Sequence, residues 1–262
     1  MKKLLLILLI IFIPVMAYAW NPLMVSSGSV SVPDHCTSGC TPADADSFCI
    51  DMESGVAECS FVDTDGGTSV ITWNAAPVGT FCCADKGSYV LDLDVKDTEI
   101  TYVEKNLGTF KTTYAAQVYF LVDSETLADT ELYTVFRTYA ADGVTITFYF
   151  AVKDVSGTLY LRAFLDQTTD IDVTSTKTIA LDTWYRLRVY YVDEDAFVVN
   201  FSDCNGANNE LVVNAGVDDV GTSNSVQYIT FGSHAAATGD IKFQIDNAKG
   251  DDDTAISTGC TE

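Results

Sequence analysis

Residues 131–139 (ELYTVFRTY), 144–152 (VTITFYFAV), 158–165 (TLYLRAFL) and 183–192 (TWYRLRVYYV) decide the fold. Each alternates apolar with polar or aromatic residues, the period-two pattern of a strand with one buried face. Alternation puts Leu132, Phe136, Ile146, Phe148, Leu159, Leu161, Leu187 and Val189 on a core face. It puts Tyr133, Arg137, Tyr149, Tyr160, Arg162, Arg186, Arg188 and Tyr190 on the opposite one. All four arginines of the chain lie in this stretch. A sheet buried on one side and carrying Tyr and Arg on the other is a candidate binding platform.

Working outward, SYVLDLDV places Leu91, Leu93 and Val95 against Asp92, Asp94 and Lys96, and TYAAQVYFLV gathers Ala116, Val118 and Phe120. QYITFG and IKFQIDNA read as closing strands. Turn signals punctuate them at Ala141-Asp142-Gly143, Val155-Ser156-Gly157, Asp193-Glu194-Asp195 and Asn205-Gly206. Helical periodicity is nearly absent. The expectation is an all-β, two-sheet antiparallel β-sandwich, with a closed barrel as the competing architecture.

The N-terminus, MKKLLLILLIIFIPVMAYA, has a basic start, an apolar stretch from Leu4 to Met16 and a small-x-small Ala17-Tyr18-Ala19. It reads as a secretory signal peptide over 1–19, and is too short for a membrane span. No later segment is long and apolar enough to cross a bilayer. Residues 20–46, rich in Ser, Gly, Pro and Thr, read as an irregular cysteine-containing extension, and 47–262 as the β-domain. The formal charge of -23 disfavours nucleic acid and anionic lipid. It suits either solubility or a supply of carboxylates for calcium.

Eight cysteines, Cys36, Cys40, Cys49, Cys59, Cys82, Cys83, Cys204 and Cys260, behind a signal peptide imply disulfides in an oxidising compartment. A zinc site at His35-Cys36 and Cys40 lacks the paired spacing that zinc needs. Adjacent Cys82 and Cys83 are expected to take different partners, because a vicinal ring is strained.

Three segments carry a resemblance: FCIDMESG (48–55), DKGSYVLDLDV (85–95), and the closing DTWYRLRVYY (182–191), ITFG (229–232) and IKFQIDNAKGDD (241–252). Together they resemble the concanavalin A-like lectin/glucanase superfamily, in its laminin G-like jelly-roll variants, over about residues 47–255. The resemblance implies ligands on a concave sheet or its rim, with the Tyr/Arg face as that sheet. It also implies one structural Ca²⁺ held by Glu53, the Gly87 backbone and Asp246, and a Cys260 disulfide to an N-terminal cysteine such as Cys49.

Against catalysis stand several readings. The paired carboxylates of glycosidases find only a loose counterpart in Glu125, Asp129 and Glu131. The Asp166/Asp170/Asp172 and Asp193/Glu194/Asp195 groups read as loops. Alginate-lyase relatives use a strand-borne Gln-x-His, whereas His35 and His234 fall outside such a motif and His234 reads as a loop residue. The sequon Asn200-Phe201-Ser202 sits within a strand and is read as chance. The expected function is a secreted, non-catalytic carbohydrate-binding or adhesion module at a cell surface, with a glycan or surface polysaccharide as partner. Its contacts are expected at Arg137, Tyr149, Tyr160, Arg162, Arg188 and Tyr190. Two other classes compete: a coat or filament component that assembles with itself or other surface proteins, and a divergent polysaccharide-cleaving enzyme.

Overall fold

The computed structural model describes residues 48–50, 61–79, 89–218 and 225–251, which fall within the compact unit Ser31–Glu262. The signal-peptide stretch, the 20–46 extension, Glu53, Gly87 and the side chains of every cysteine but Cys204 lie outside the described residues. The described chain is built from strands, without a helix. They are β1 (Phe48–Ile50), β2 (Val62–Asp65), β3 (Val70–Ala75), β4 (Val90–Val95), β5 (Thr101–Lys111), β6 (Thr113–Glu125), β7 (Leu132–Tyr139) and β8 (Ile146–Val155). There follow β9 (Thr158–Leu165), β10 (Ile171–Ile179), β11 (Trp184–Val192), β12 (Ala196–Asp203), β13 (Glu210–Ala215), β14 (Val226–Ser233) and β15 (Ile241–Asp251).

The first sheet runs β13-β12-β11-β6-β15-β4-β3, with β1 also paired to β15, and the second runs β10-β9-β8-β7-β14-β5-β2. Two separate antiparallel sheets make a sandwich, not a closed barrel. Its interior is aromatic. Phe148 of the second sheet lies with its ring 5.5 Å from Phe197 and 5.5 Å from Tyr191 of the first, and 6.4 Å from Tyr114. Tyr133 reaches across to Phe243 at 5.4 Å. These rings are fully buried, and Leu91, Leu93, Val95, Ala116, Val118 and Phe120 join them as alternation expects.

The structure corrects the single Tyr/Arg face in two ways. First, β11 belongs to the other sheet, between β6 and β12. Its Leu187, Val189 and Tyr191 enter the core, so Arg186, Arg188 and Tyr190 lie on the first sheet's outer face. Arg137, Tyr149, Tyr160 and Arg162 lie on the second sheet's outer face, at the opposite side of the sandwich. Alternation fixes which side of its own sheet a residue takes, but not which sheet the strand joins. Second, Tyr133 is a core residue. The β7–β8 register slips between Thr134↔Ala151 and Phe136↔Phe150, an extra residue that inverts the parity upstream of it. Tyr133 Oη then donates to the Thr101 carbonyl at 2.9 Å and accepts from the Ser233 N–H at 3.3 Å.

The segment read as the Asp166–Asp172 loop also holds a strand. β10 starts at Ile171, and its polar sequence IDVTSTKTI reflects an edge position with little burial.

Because Phe148 sits where both sheets meet, Phe148→Ala removes contacts to each of them. The expected loss is about 3–5 kcal/mol of unfolding free energy, read as a drop in the chemical denaturation midpoint with little change in m-value.

Candidate functional site

Three adjacent strands of the second sheet, β5-β14-β7, assemble a group of titratable and aromatic side chains. Val103 of β5 and Ile229 and Phe231 of β14 are committed to the core. Their neighbours Tyr102, Glu104, Tyr228 and Thr230 therefore face outward. The register sets Gly232 opposite Tyr102, and Thr230 opposite both Glu104 and Arg137. Tyr139 lies opposite Tyr228.

Gly232 is required where it stands. Its φ is +104°, and a Cβ there would lie 2.3 Å from the Thr101 carbonyl oxygen. Immediately after this tight crossing, His234 lies back over the sheet. Its ring stacks on Tyr102 with centroids 3.6 Å apart and meets Tyr139 edge-on at 4.9 Å. Its Nε2 is 3.8 Å from Glu104 Oε2.

Arg137 forms the floor beside this group. It donates to Tyr139 Oη at 3.2 Å and Thr134 Oγ1 at 2.8 Å, and its guanidinium lies 5.2 Å from the Tyr149 ring centre. Among the described residues no carboxylate pairs with it. Arg137 Nε, Thr230 Oγ1 and His234 Nε2 are all buried without a hydrogen-bond partner. An unmet buried polar group costs about 1–3 kcal/mol, so three gathered on neighbouring strands need an explanation.

Arg162 is different. It forms a bidentate pair with Asp172, Nε–Oδ1 at 2.7 Å and Nη2–Oδ2 at 2.6 Å, and lies over Tyr149 and Phe164, themselves stacked at 4.9 Å. This pair holds Asp172 below the usual carboxylate range. Tyr160 is next on the same face, opposite Lys153.

The electrostatics follow from burial. His234 is pushed down to about 4, first by burial and then by the Arg137 charge. Burial likewise raises Glu104, Tyr139 and Tyr149 above their ordinary values. At neutral pH the site presents a neutral imidazole, a protonated Tyr139 phenol and an uncompensated guanidinium.

Of the residues expected to contact ligand, Arg137, Tyr149, Tyr160 and Arg162 come together here, while Arg188 and Tyr190 do not. Tyr102, Glu104, Tyr139, Thr230 and His234 are additions that only the strand order reveals. A signal for part of this exists in TYVEK, where alternation sets Tyr102 and Glu104 on one side. Nothing local says that β5 lies beside β14. Of the expected calcium donors only Asp246 is described, buried on β15 opposite Tyr119. Cys204, packed near Trp184, is disulfide-bonded.

No family model and no curated protein matches the chain. Solved structures with the same architecture do. An alginate lyase from Klebsiella pneumoniae aligns with TM-score 0.51 and 8% identity, over 68% of this chain and 86% of that one. The cellulose induced protein Cip1 aligns with TM-score 0.52 and 10% identity, over 81% and 100%. A further alginate lyase, in complex with an alginate tetrasaccharide, aligns with TM-score 0.49 and 12% identity, over 73% and 96%. The shared feature is the jelly-roll β-sandwich, in keeping with the concanavalin A-like resemblance; it does not single out a laminin G-like variant.

These findings overturn the expectation of a non-catalytic module. That expectation rested on the missing Gln-x-His motif; His234 does lie in the bend after β14, as expected of a loop residue. The fold is one that an alginate lyase also uses, and His234 packs onto the sheet beside Arg137, Tyr139 and Glu104.

The imidazole of His234 is expected to titrate near pH 4 when followed by NMR, and Arg137→Gln is expected to move that midpoint upward toward the ordinary value of about 6.5. The same depression has a stability consequence. The unfolded chain takes up the proton first, so His234 costs the fold nothing above about pH 6.5 and destabilises it progressively as pH falls to about 4. The thermal midpoint of wild type is expected to fall more steeply over that window than that of His234→Ala.

Proposed function

We propose that this chain cleaves an acidic polysaccharide by β-elimination, on the outer face of β5, β14 and β7. The observation that carries the reading is Arg137, a buried cation without a carboxylate partner among the described residues, set beside a neutral imidazole and a protonated phenol. A uronate residue supplies what this arrangement lacks. Its carboxylate would pair with Arg137 and draw off the negative charge that develops when the proton on the adjacent C5 is removed. The neutral His234 imidazole takes that proton. The C4–O4 bond then breaks, a C4=C5 double bond forms, and Tyr139 gives its phenolic proton to the departing oxygen. Binding also tunes the base, because a carboxylate on Arg137 cancels the positive charge that helps hold His234 down. The Arg162–Asp172 pair and the Tyr149/Phe164 stack extend the face along β8, β9 and β10. They provide planar surfaces on which sugar rings can lie.

The alginate lyase likeness supports the architecture of this reading, and the choice of a uronate rests on the chemistry of Arg137. A secreted enzyme, as the N-terminal segment suggests, would meet such polymers outside the cell.

The test uses alginate, polygalacturonate and a glucuronate-containing polymer, with two readouts. Reducing ends report any cleavage, and ultraviolet absorbance of the conjugated unsaturated uronyl product reports elimination alone. Wild type is expected to give both on at least one polymer. His234→Ala and Tyr139→Phe are expected to lower kcat by about 10²–10⁴-fold, and the acid limb of kcat/KM is expected near pH 4, where His234 gains its proton. Reducing ends without absorbance would replace elimination by hydrolysis. Folded protein with neither signal on any of the three polymers would overturn the proposal.

A further inference from the structure

The opposite side of the sandwich carries a second cationic group that the proposed activity does not use. Arg186 and Arg188 project from β11 on the outer face of the first sheet, two residues apart and therefore side by side. An open cavity of about 340 Å³ is lined by Arg186, Arg188, Asn200, Ser202, Gly206 and Asn209. The remaining lining groups are amides, a hydroxyl and a glycine, so among the described residues the walls hold no carboxylate. Arg188 Nε donates to Gln117 Oε1 at 2.8 Å, and Arg186 Nε donates to Ser202 Oγ at 3.3 Å. Both partners are neutral. Arg188 Nη2 is buried and has no hydrogen-bond partner.

Such an arrangement opposes what the rest of the chain does with its cations. In a protein of formal charge -23, carboxylates are abundant, and Arg162, Lys96, Lys177 and Lys242 each have one. Arg186 and Arg188 repel each other and make no ion pair among the described residues. Burial first, and then the Arg186 charge, bring Arg188 down to about 10. Gly206 borders the pair at φ +83°, and a Cβ there would lie 2.4 Å from Arg186 Nη2, so a side chain would displace the guanidinium. The cavity falls within the roughly 300–1,000 Å³ of small-molecule sites.

We propose that Arg186 and Arg188 form an anion-binding site that takes the carboxylate or sulfate of an acidic sugar residue, with Asn200, Ser202 and Asn209 available to its hydroxyls. A planar fork at each arginine suits two oxygens of one oxyanion, and the neutral amides suit a polyhydroxylated ring. The site lies on the other sheet from Arg137 and binds without cleaving, so it stands or falls apart from the elimination chemistry.

The experiment is an NMR titration of the whole protein with glucuronate, with N-acetylglucosamine sulfate and with inorganic sulfate, against chloride at matched ionic strength. Saturable shifts at the Arg186 and Arg188 side chains are expected, with affinity in the millimolar range. They are expected in Arg137→Gln as in wild type, and to weaken at least tenfold in Arg188→Gln and in the rim variant Asn209→Ala. Thermal melting separates loss of binding from loss of fold. Arg188→Gln removes an uncompensated charge, so without anion it is expected to melt at or above wild type, and anion is expected to raise its midpoint less than that of wild type. Preference for either sugar over inorganic sulfate supports a saccharide site. A response to inorganic sulfate equal to that of the sugars limits the site to a bare oxyanion and overturns the saccharide assignment. Shifts unchanged by Arg188→Gln, or none that saturate, overturn the site altogether.

Discussion

The aromatic layer between the sheets is the constraint on which the rest depends. Phe136, Phe148, Phe150 and Phe231 from one sheet meet Tyr114, Phe120, Tyr191, Phe197, Phe201 and Phe243 from the other. Once alternate residues of a strand are committed to that layer, their neighbours have only the outer face left to occupy. Burying Val103, Ile229 and Phe231 thus leaves Tyr102, Glu104, Thr230 and Gly232 to build one face. Burying Leu187, Val189 and Tyr191 sends Arg186 and Arg188 to the other. These outward side chains are positioned by the buried residues they alternate with, one peptide unit away.

This explains how much the sequence discloses. Period two within a strand is a local property, and it identifies the core side of β4, β6, β8, β9 and β11 correctly. Sheet membership is not local. The step from β10 to β11 crosses between sheets, and the residues around Leu181-Asp182-Thr183 resemble any other turn. The four arginines consequently look like one platform in sequence and are two in space. The bulge at Thr134–Phe136 is unreadable for a related reason. One extra residue in β7 leaves the pattern of apolar and polar letters almost unchanged, but it carries Tyr133 into the core. His234 lies in the loop that the sequence suggests, but its contacts are not legible there. Its place depends on Gly232 at φ +104° and on the stack with Tyr102 on a strand more than a hundred residues earlier.

Net charge argues against an acidic partner, and distance resolves the conflict. The chain as a whole repels a polyanion, but salt limits that repulsion to about 8 Å at physiological ionic strength. Within that range the local composition governs. Arg137 is surrounded by Thr134, Tyr139, Tyr149 and Thr230, and Arg188 by Gln117 and its cavity of amides. Glu104 lies beside His234 on the Arg137 face but does not pair with Arg137, and the acidic residues farther off slow the approach of a polyanion without occupying either arginine.

The contrast among the arginines sharpens the assignment. Arg162 shows what a β-surface arginine does when packing alone governs it: it stacks on Tyr149 and Phe164 and closes bidentately on Asp172, 10 residues on. That geometry was equally open in principle to Arg137 and Arg188, since an Asp or Glu on an adjacent strand would suffice. Both instead have neutral partners, each keeps a buried nitrogen unmet, and each lies where its strand is flanked on both sides by others. An interior strand carries a fixed set of cross-strand neighbours, so the acid is not missing through lack of room for one. The fold bears an unpaired cation at two central positions and neutralises the one nearer the sheet's edge. That distribution supports the proposed anion sites on two faces, since stability alone would have favoured pairing each cation.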